Sequence, residues 1–234
     1  MVKNYLKVAL RSLLKNRIFS LINITGLALG IAASLLIMQY VSYELSYDNF
    51  NQNANRIYRL KTNRYEKGVL STEWAAGVVS IGYLLNENLA DVEAYARLTQ
   101  TSGVFSRGDI EFAESKVYFA NPSVFDVFDT KILYGDKETA LVDPSSVAIS
   151  KTTAQKYFAK VDVVGETMYF NKNRPIKITA VFEDVPQNSH FKYDILASWS
   201  TMAQGERAQQ ANSVWYWDGY FNYVMLKEGV NPEE

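Results

Sequence analysis

The sequence predicts an α+β protein: one membrane-spanning helix near the amino end, then a mixed α/β domain held outside the cytoplasm. Three observations carry that prediction. Residues 18–43 form a run of 26 without a charge. Lys3, Lys7, Arg11, Lys15 and Arg17 stand just before it, and no acid appears before Glu44. Beyond Glu44, strand and helix patterns alternate without a repeat or a low-complexity tract, the signature of an α+β chain.

The uncharged run is justified by length. At about 1.5 Å per residue it reaches roughly 39 Å, enough to cross a hydrocarbon core of roughly 30 Å with some tilt. The basic flank places the amino terminus in the cytoplasm and everything after Tyr43 outside. Tyr40, Tyr43 and Tyr47 then fall at the outer interface, where a ring can be half wet. A cleaved signal has an apolar stretch of about 7–15 residues. This one continues through Leu35-Leu36-Ile37-Met38 past a weak Ala32-Ala33-Ser34 site, so the chain stays anchored. Residues 1–17 read as a cytoplasmic amphipathic segment, with Leu6, Leu10, Leu13 and Leu14 at helical spacing, able to lie along the headgroups. Within the span, 18–43, Gly26, Gly30 and Ser34 share a face on which another helix can approach closely.

Composition narrows the function. The 234 residues are 48% hydrophobic and 21% charged with a formal net charge of -1, which excludes disorder and a nucleic-acid binder. Without cysteine there is no disulfide framework, lipidated cysteine or thiolate metal site. The exported part, 44–234, must stabilise itself by its core.

Along that part, Arg56–Thr62 reads as a strand and Glu66-Lys67-Gly68 as a turn. Val78–Leu89 has helical period, Val92–Thr99 is a strand, and Arg107-Gly108-Asp109 turns into the strand Ile110–Phe119. Asn121-Pro122 opens a short helix through Phe128, with Asn121 as cap. A buried strand Val147-Ala148-Ile149 follows the loop at Asp143-Pro144, and Ser150 caps a helix to about Phe158. Met168–Phe170 and Ile176–Phe182 form a hairpin across Asn171-Lys172-Asn173. A strand lies around Phe191–Leu196, and the last, Trp215–Leu226, is rich in aromatics.

Reactive groups do not converge. His190 is the only histidine, and Pro186-Gln187-Asn188-Ser189 makes its setting a turn. Asp126 with Asp129, and Glu183 with Asp184, read as solvated or helix-end charge. Gly103 and Gly108 have the glycine spacing of a phosphate loop, but Asp109 follows where Lys is required. No catalytic, cofactor or metal-binding residue is expected. Trp215, Trp217 and Tyr220 are candidates for a partner surface, although the aromatic run also suits a strand packing one face into the core.

Taken in order, the motifs resemble a known family. Asn4–Arg17 and Phe19-Ser20-Leu21-Ile22-Asn23-Ile24-Thr25-Gly26-Leu27-Ala28-Leu29-Gly30 are similar to the start of FtsX/MacB-type ABC transporter permeases. The series Phe125-Asp126-Val127-Phe128, Gly135-Asp136, Ala140-Leu141, Val147-Ala148-Ile149-Ser150, Ala154, Tyr157-Phe158 and Gly165 resembles the MacB-like periplasmic core domain, as do Val185-Pro186 and Asn188-Ser189-His190-Phe191. Ala159-Lys160 departs from the Gly-Asp usual there, and Val163-Val164 from a Pro-Ile pair.

The resemblance implies an inner-membrane protein whose periplasmic domain has two mixed α/β lobes. One is discontinuous, about 53–136 and again after 188; the other is inserted at about 137–187. It also implies a dimer with a second permease subunit, a cytoplasmic ABC ATPase that binds the ATP, and spans that relay its cycle outward as movement. Membrane lipid, and a periplasmic adaptor, peptide, lipoprotein or hydrolase, are the remaining partners it implies. The leading function is export by a permease subunit. An FtsX-like regulator that docks a cell-wall hydrolase, or a single-span receptor, is the alternative. Finally, Asn231-Pro232-Glu233-Glu234 carries the signal of a helix start, so elements beyond Glu234 are expected to complete the first lobe.

Overall fold

A computed structural model describes residues 2–202, 204, 210–215 and 218–232. The chain falls into two compact units, Met1–Tyr47 and Asp48–Glu234.

In the first unit, α1 (Val2–Lys15) and α2 (Arg17–Glu44) are separated at Asn16, whose φ of -110° and ψ of 58° leave the helical region. The joint is tied by the Ser20 hydroxyl donating to Leu13 O at 2.9 Å and Arg17 Nε donating to Leu14 O at 3.3 Å. These bonds satisfy carbonyls that the end of α1 leaves open. The 28-residue α2 is long and apolar enough to cross a membrane, and none of its residues is buried. The rings of Tyr43 and Tyr47 meet edge to face at 5.5 Å.

The second unit is built on a large sheet. Its strands are β1 (Ile57–Arg59), β4 (Val92–Arg107), β5 (Ile110–Ala120), β6 (Ile132–Gly135), β7 (Ser146–Ser150), β8 (Thr167–Phe170), β9 (Arg174–Phe182), β10 (Ile195–Ser198) and β11 (Phe221–Leu226). The order is β1-β11-β4-β5-β10-β7-β9-β6, with β8 pairing β4 and β9. A separate hairpin joins β2 (Thr62–Glu66) to β3 (Val69–Trp74). The helices are α3 (Ile81–Asn88), α4 (Val124–Val127), α5 (Lys151–Phe158) and α6 (Trp199–Met202).

Because β8 bridges β4 and β9, the pairings β4-β5-β10-β7-β9-β8 close on themselves. The long β4 makes this closure by bending. Its ladder to β5 shifts register between Thr101 and Gly103, and Phe105 and Ser106 then pair with Phe170 and Tyr169 of β8. A Cβ on Gly103 would lie 2.2 Å from the Phe170 ring, so the close approach needs glycine. Segment 137–187, expected as an inserted lobe, supplies β7, α5, β8 and β9 and is hydrogen-bonded into the same sheet through β10·β7 and β4·β8.

Strand alternation sorts the core onto two faces. Tyr118, Ala148, Leu196, Ala180 and Phe182 point to one cluster with Phe125, Phe191 and Tyr223. Their neighbours Val117, Ile149, Ile195, Ile178 and Val181 point to the other, with Tyr157 of α5, Met168 and Phe105. A small third cluster joins Val79, Trp199 and Ala211.

Several expected elements are redrawn. The strand over Arg56–Thr62 is divided: a single 3-10 turn, Ala54–Arg56, leads into β1, and β2 starts at Thr62. The turn at Lys67-Gly68, with φ of 50° and 82°, closes the hairpin to β3, which sequence reading omitted. The helix over Val78–Leu89 shortens to α3 because Val79 leaves the helical face to seal the third cluster. Asn121 does not cap α4; its carbonyl accepts the Arg97 N–H at 2.7 Å, and Ser123 takes the cap position. Ser150 does cap α5, accepting Thr153 N–H at 3.2 Å. β10 starts at Ile195, after rather than at Phe191. The aromatic strand begins at Phe221, not Trp215. The helix start expected at the carboxyl end falls partly on Glu233 and Glu234, outside the described residues.

Candidate functional site

Where β1, the tail of α4, the segment before β10 and β11 come together, they enclose a cavity of about 450 Å³. Its floor is aromatic. Phe191 lies tilted against Tyr118 at 4.7 Å and meets Tyr223 at 6.0 Å, while Phe128 meets Tyr223 at 5.0 Å. Phe191, Tyr193 and Tyr223 are buried by the sheet below, and Ile57, Phe128 and Val185 are half-buried around them. Burial pushes the Tyr223 hydroxyl up to about 12, an effect the Arg59 charge partly opposes. Burial also takes Tyr193 up to about 12, against its 2.7 Å hydrogen bond with Thr130.

Arg59 is the cation of this wall. Its guanidinium lies 5.0 Å from the Phe221 ring centre and 5.9 Å from that of Tyr223. Nη1 is 3.0 Å from His190 Nε2. A guanidinium can only donate, so His190 accepts at Nε2 and carries its proton on Nδ1. The rim carboxylates are engaged: Asp48 Oδ1 accepts the His190 N–H at 2.9 Å and the Ser189 hydroxyl at 3.2 Å, and Glu183 pairs with Lys131 at 3.2 Å. Asp184 accepts from the Thr152 N–H and hydroxyl, at the start of α5. The turn expected around His190 is closed by Ser189 N–H to Pro186 O at 3.1 Å.

The expected site residues do not meet at this cavity. Trp215 is 62% exposed in a turn. Tyr220 is half-buried, paired with Gly77 and set edge to face on Trp199 at 5.7 Å. Trp217 lies outside the described residues. On α2, a Cβ at Gly26 or Gly30 would meet nothing within 4 Å, and the Ser34 hydroxyl bonds back to Gly30 O at 2.8 Å.

Sequence reading missed Arg97, which is 2% exposed. Nη1 reaches Val79 O at 2.9 Å, Asn212 Oδ1 at 3.1 Å and Ala211 O at 3.2 Å. Burial pushes its guanidinium down to about 10. The available signal was weak: a charge within the apolar run Ala94-Tyr95-Ala96-Arg97-Leu98. Among the described residues no group of three His, Asp or Glu is placed to hold a metal ion.

A sequence model of the MacB-like periplasmic core domain matches residues 20–234. Among solved structures, a domain assigned to a permease protein from Porphyromonas gingivalis is 25% identical, with a TM-score of 0.65 over 78% of this chain and 80% of that one. The periplasmic region of MacB from Actinobacillus actinomycetemcomitans is 17% identical, with a TM-score of 0.54 over 76% and 78%. The extracellular domain of the noncanonic ABC-type transporter YknZ from Gram-positive bacteria is 14% identical, with a TM-score of 0.50 over 74% and 84%. No curated protein matches in sequence.

Proposed function

Because the chain belongs to the family of MacB-like periplasmic core domains of ABC transporter-type permeases, we propose that it belongs to a permease subunit of the bacterial inner membrane. In this reading α2 is a span with its amino end cytoplasmic, and the unit from Asp48 onward is the periplasmic domain. The subunit pairs with a second copy beside a cytoplasmic ABC ATPase, which binds the ATP. Its spans carry the ATPase cycle outward as movement, and the periplasmic domain grips a cargo for export.

One observation carries the reading: a bare apolar helix runs in the same chain straight into a domain of this family. A helix with no buried residue leaves far more apolar surface exposed than a soluble protein tolerates, so lipid and neighbouring spans must cover it. Gly26, Gly30 and Ser34 supply the face on which a neighbour can approach. Trp215 supplies an exposed anchor for a periplasmic partner, with Trp217 and Tyr220 near it in sequence.

Affinity purification of the tagged protein from its native membrane tests this. An ABC ATPase should co-purify in about equal amount, and its absence from gently solubilised membranes would sink the permease reading. A photo-crosslinker at Trp215 then reports the periplasmic partner. Capture of a cell-wall hydrolase, with no transported peptide or lipoprotein, would make the protein an FtsX-like regulator instead.

A further inference from the structure

We infer that the cavity lined by β1, the tail of α4, the segment before β10 and β11 is a binding site for a small amphiphile with an apolar body and a carboxylate head, the head on Arg59 and His190 and the body on the aromatic floor. Four features lead there. The volume of about 450 Å³ is in the range of small-molecule sites. The floor of Phe191, Tyr223 and Phe128 offers rings and no competing hydrogen-bond demand beyond the Tyr hydroxyls.

Arg59 is charged, half-buried and held over two rings, yet its polar contact is a neutral imidazole rather than a carboxylate. Its Nε is buried with no hydrogen-bond partner among the described residues. A half-buried cation with no ion-pair partner among the described residues gains from an anion that reaches it. His190, accepting from Arg59 at Nε2, keeps an Nδ1–H free to donate, so the pair presents donors alone.

Of the rim acids, Glu183 pairs with Lys131, Asp48 Oδ1 accepts from the Ser189 hydroxyl and the His190 N–H, Asp184 accepts from Thr152, and Asp129 is exposed to water. An organic cation would find the faces of Tyr223 and Phe221 already occupied by Arg59. The site goes beyond the permease reading, which needs no small ligand there.

Hydrogen exchange of the full chain in lipid nanodiscs tests it, with octanoate, octylammonium and octanol as probes at equal concentration. Octanoate should slow exchange at Ile57–Arg59 and Val185–Tyr193. Arg59→Gln should weaken that protection at least about tenfold, and Arg59→Lys by less. Ala54→Trp, which adds bulk at the lining from an exposed position, should abolish it with exchange elsewhere unchanged. Equal protection by octylammonium or octanol, protection that survives Arg59→Gln and Ala54→Trp, or no protection by octanoate would each overturn the assignment. None of these outcomes bears on the ATPase co-purification, so the two readings fail separately.

Discussion

The guanidinium carbon of Arg97 stands 3.8 Å from the ring centre of Trp199. The same side chain donates to Val79, Ala211 and Asn212, so one residue of β4 fastens the segment before α3, the start of α6 and the segment before Trp215. Arg97→Met would keep much of the volume and remove every donor. Stability should fall by about 2–4 kcal/mol, since the acceptors are left buried and unpaired. Arg97→Lys should recover only part, because an ammonium cannot stack on Trp199 and reach the same acceptors. Denaturant unfolding measures both, and a loss under about 0.5 kcal/mol for Met would refute the clamp.

Gly135 has φ of 91°, and a Cβ there would lie 2.4 Å from Thr179 O. The obstacle is backbone rather than a side-chain tip, so β6 cannot keep its pairing to β9 without shifting. Gly135→Ala is expected to cost about 2–4 kcal/mol. Gly108, also at positive φ but with open space around it, should tolerate Ala better. Equal thermal shifts for the two variants would argue against the steric account.

Alkaline pH should unfold the domain early. Tyr193 and Tyr223 are raised to about 12 from an ordinary value of 10.0. Between those values the folded chain holds protons that the unfolded chain has lost, so their contribution is complete below pH ~10 and is lost as pH rises through 12. Each supplies about 2–3 kcal/mol on this count. Arg97, lowered by burial, acts in the opposite direction over much of the same range. Tyrosinate absorbance followed beside circular dichroism should show unfolding and ionisation of these two rings together. Ionisation well below pH 12 in a still folded domain would contradict it.

The chain has no cysteine of its own, so single labels are clean. Ser12→Cys should resist an impermeant thiol reagent in intact cells, and Ser106→Cys should react once the outer membrane is made permeable. The reverse pattern would invert the orientation of α2. On the same helix, Gly30→Leu should weaken association with a second subunit or a further span in a membrane reporter assay. Unchanged association would leave Gly26 and Gly30 without a packing role.

What the residues announced was whatever depends on near neighbours. The uncharged run, the Ser150 cap and the Asn171-Lys172-Asn173 hairpin each follow from local spacing, and each is found. The closing of the circuit by β8 was not legible, because Gly103 and Phe170, which approach closely there, are distant in sequence. Asn121 looked like a helix cap, but the backbone of β4 takes its side chain instead. The cavity was equally hidden. Arg59 and His190 each suggest little alone, and their meeting depends on how the segment before β10 passes β1.

The first and last strands among the described residues of the second unit lie side by side. Ile57 of β1 faces Met225 of β11, with the strands antiparallel. The first residue of one and the end of the other are therefore at the same end of the pair. Tension that separates those two points would peel the ladder bond by bond, as a zip opens, whereas a push applied to both at once loads no bond in particular. Separated at those two points, the pair would open at the seam beside the Arg59 cavity.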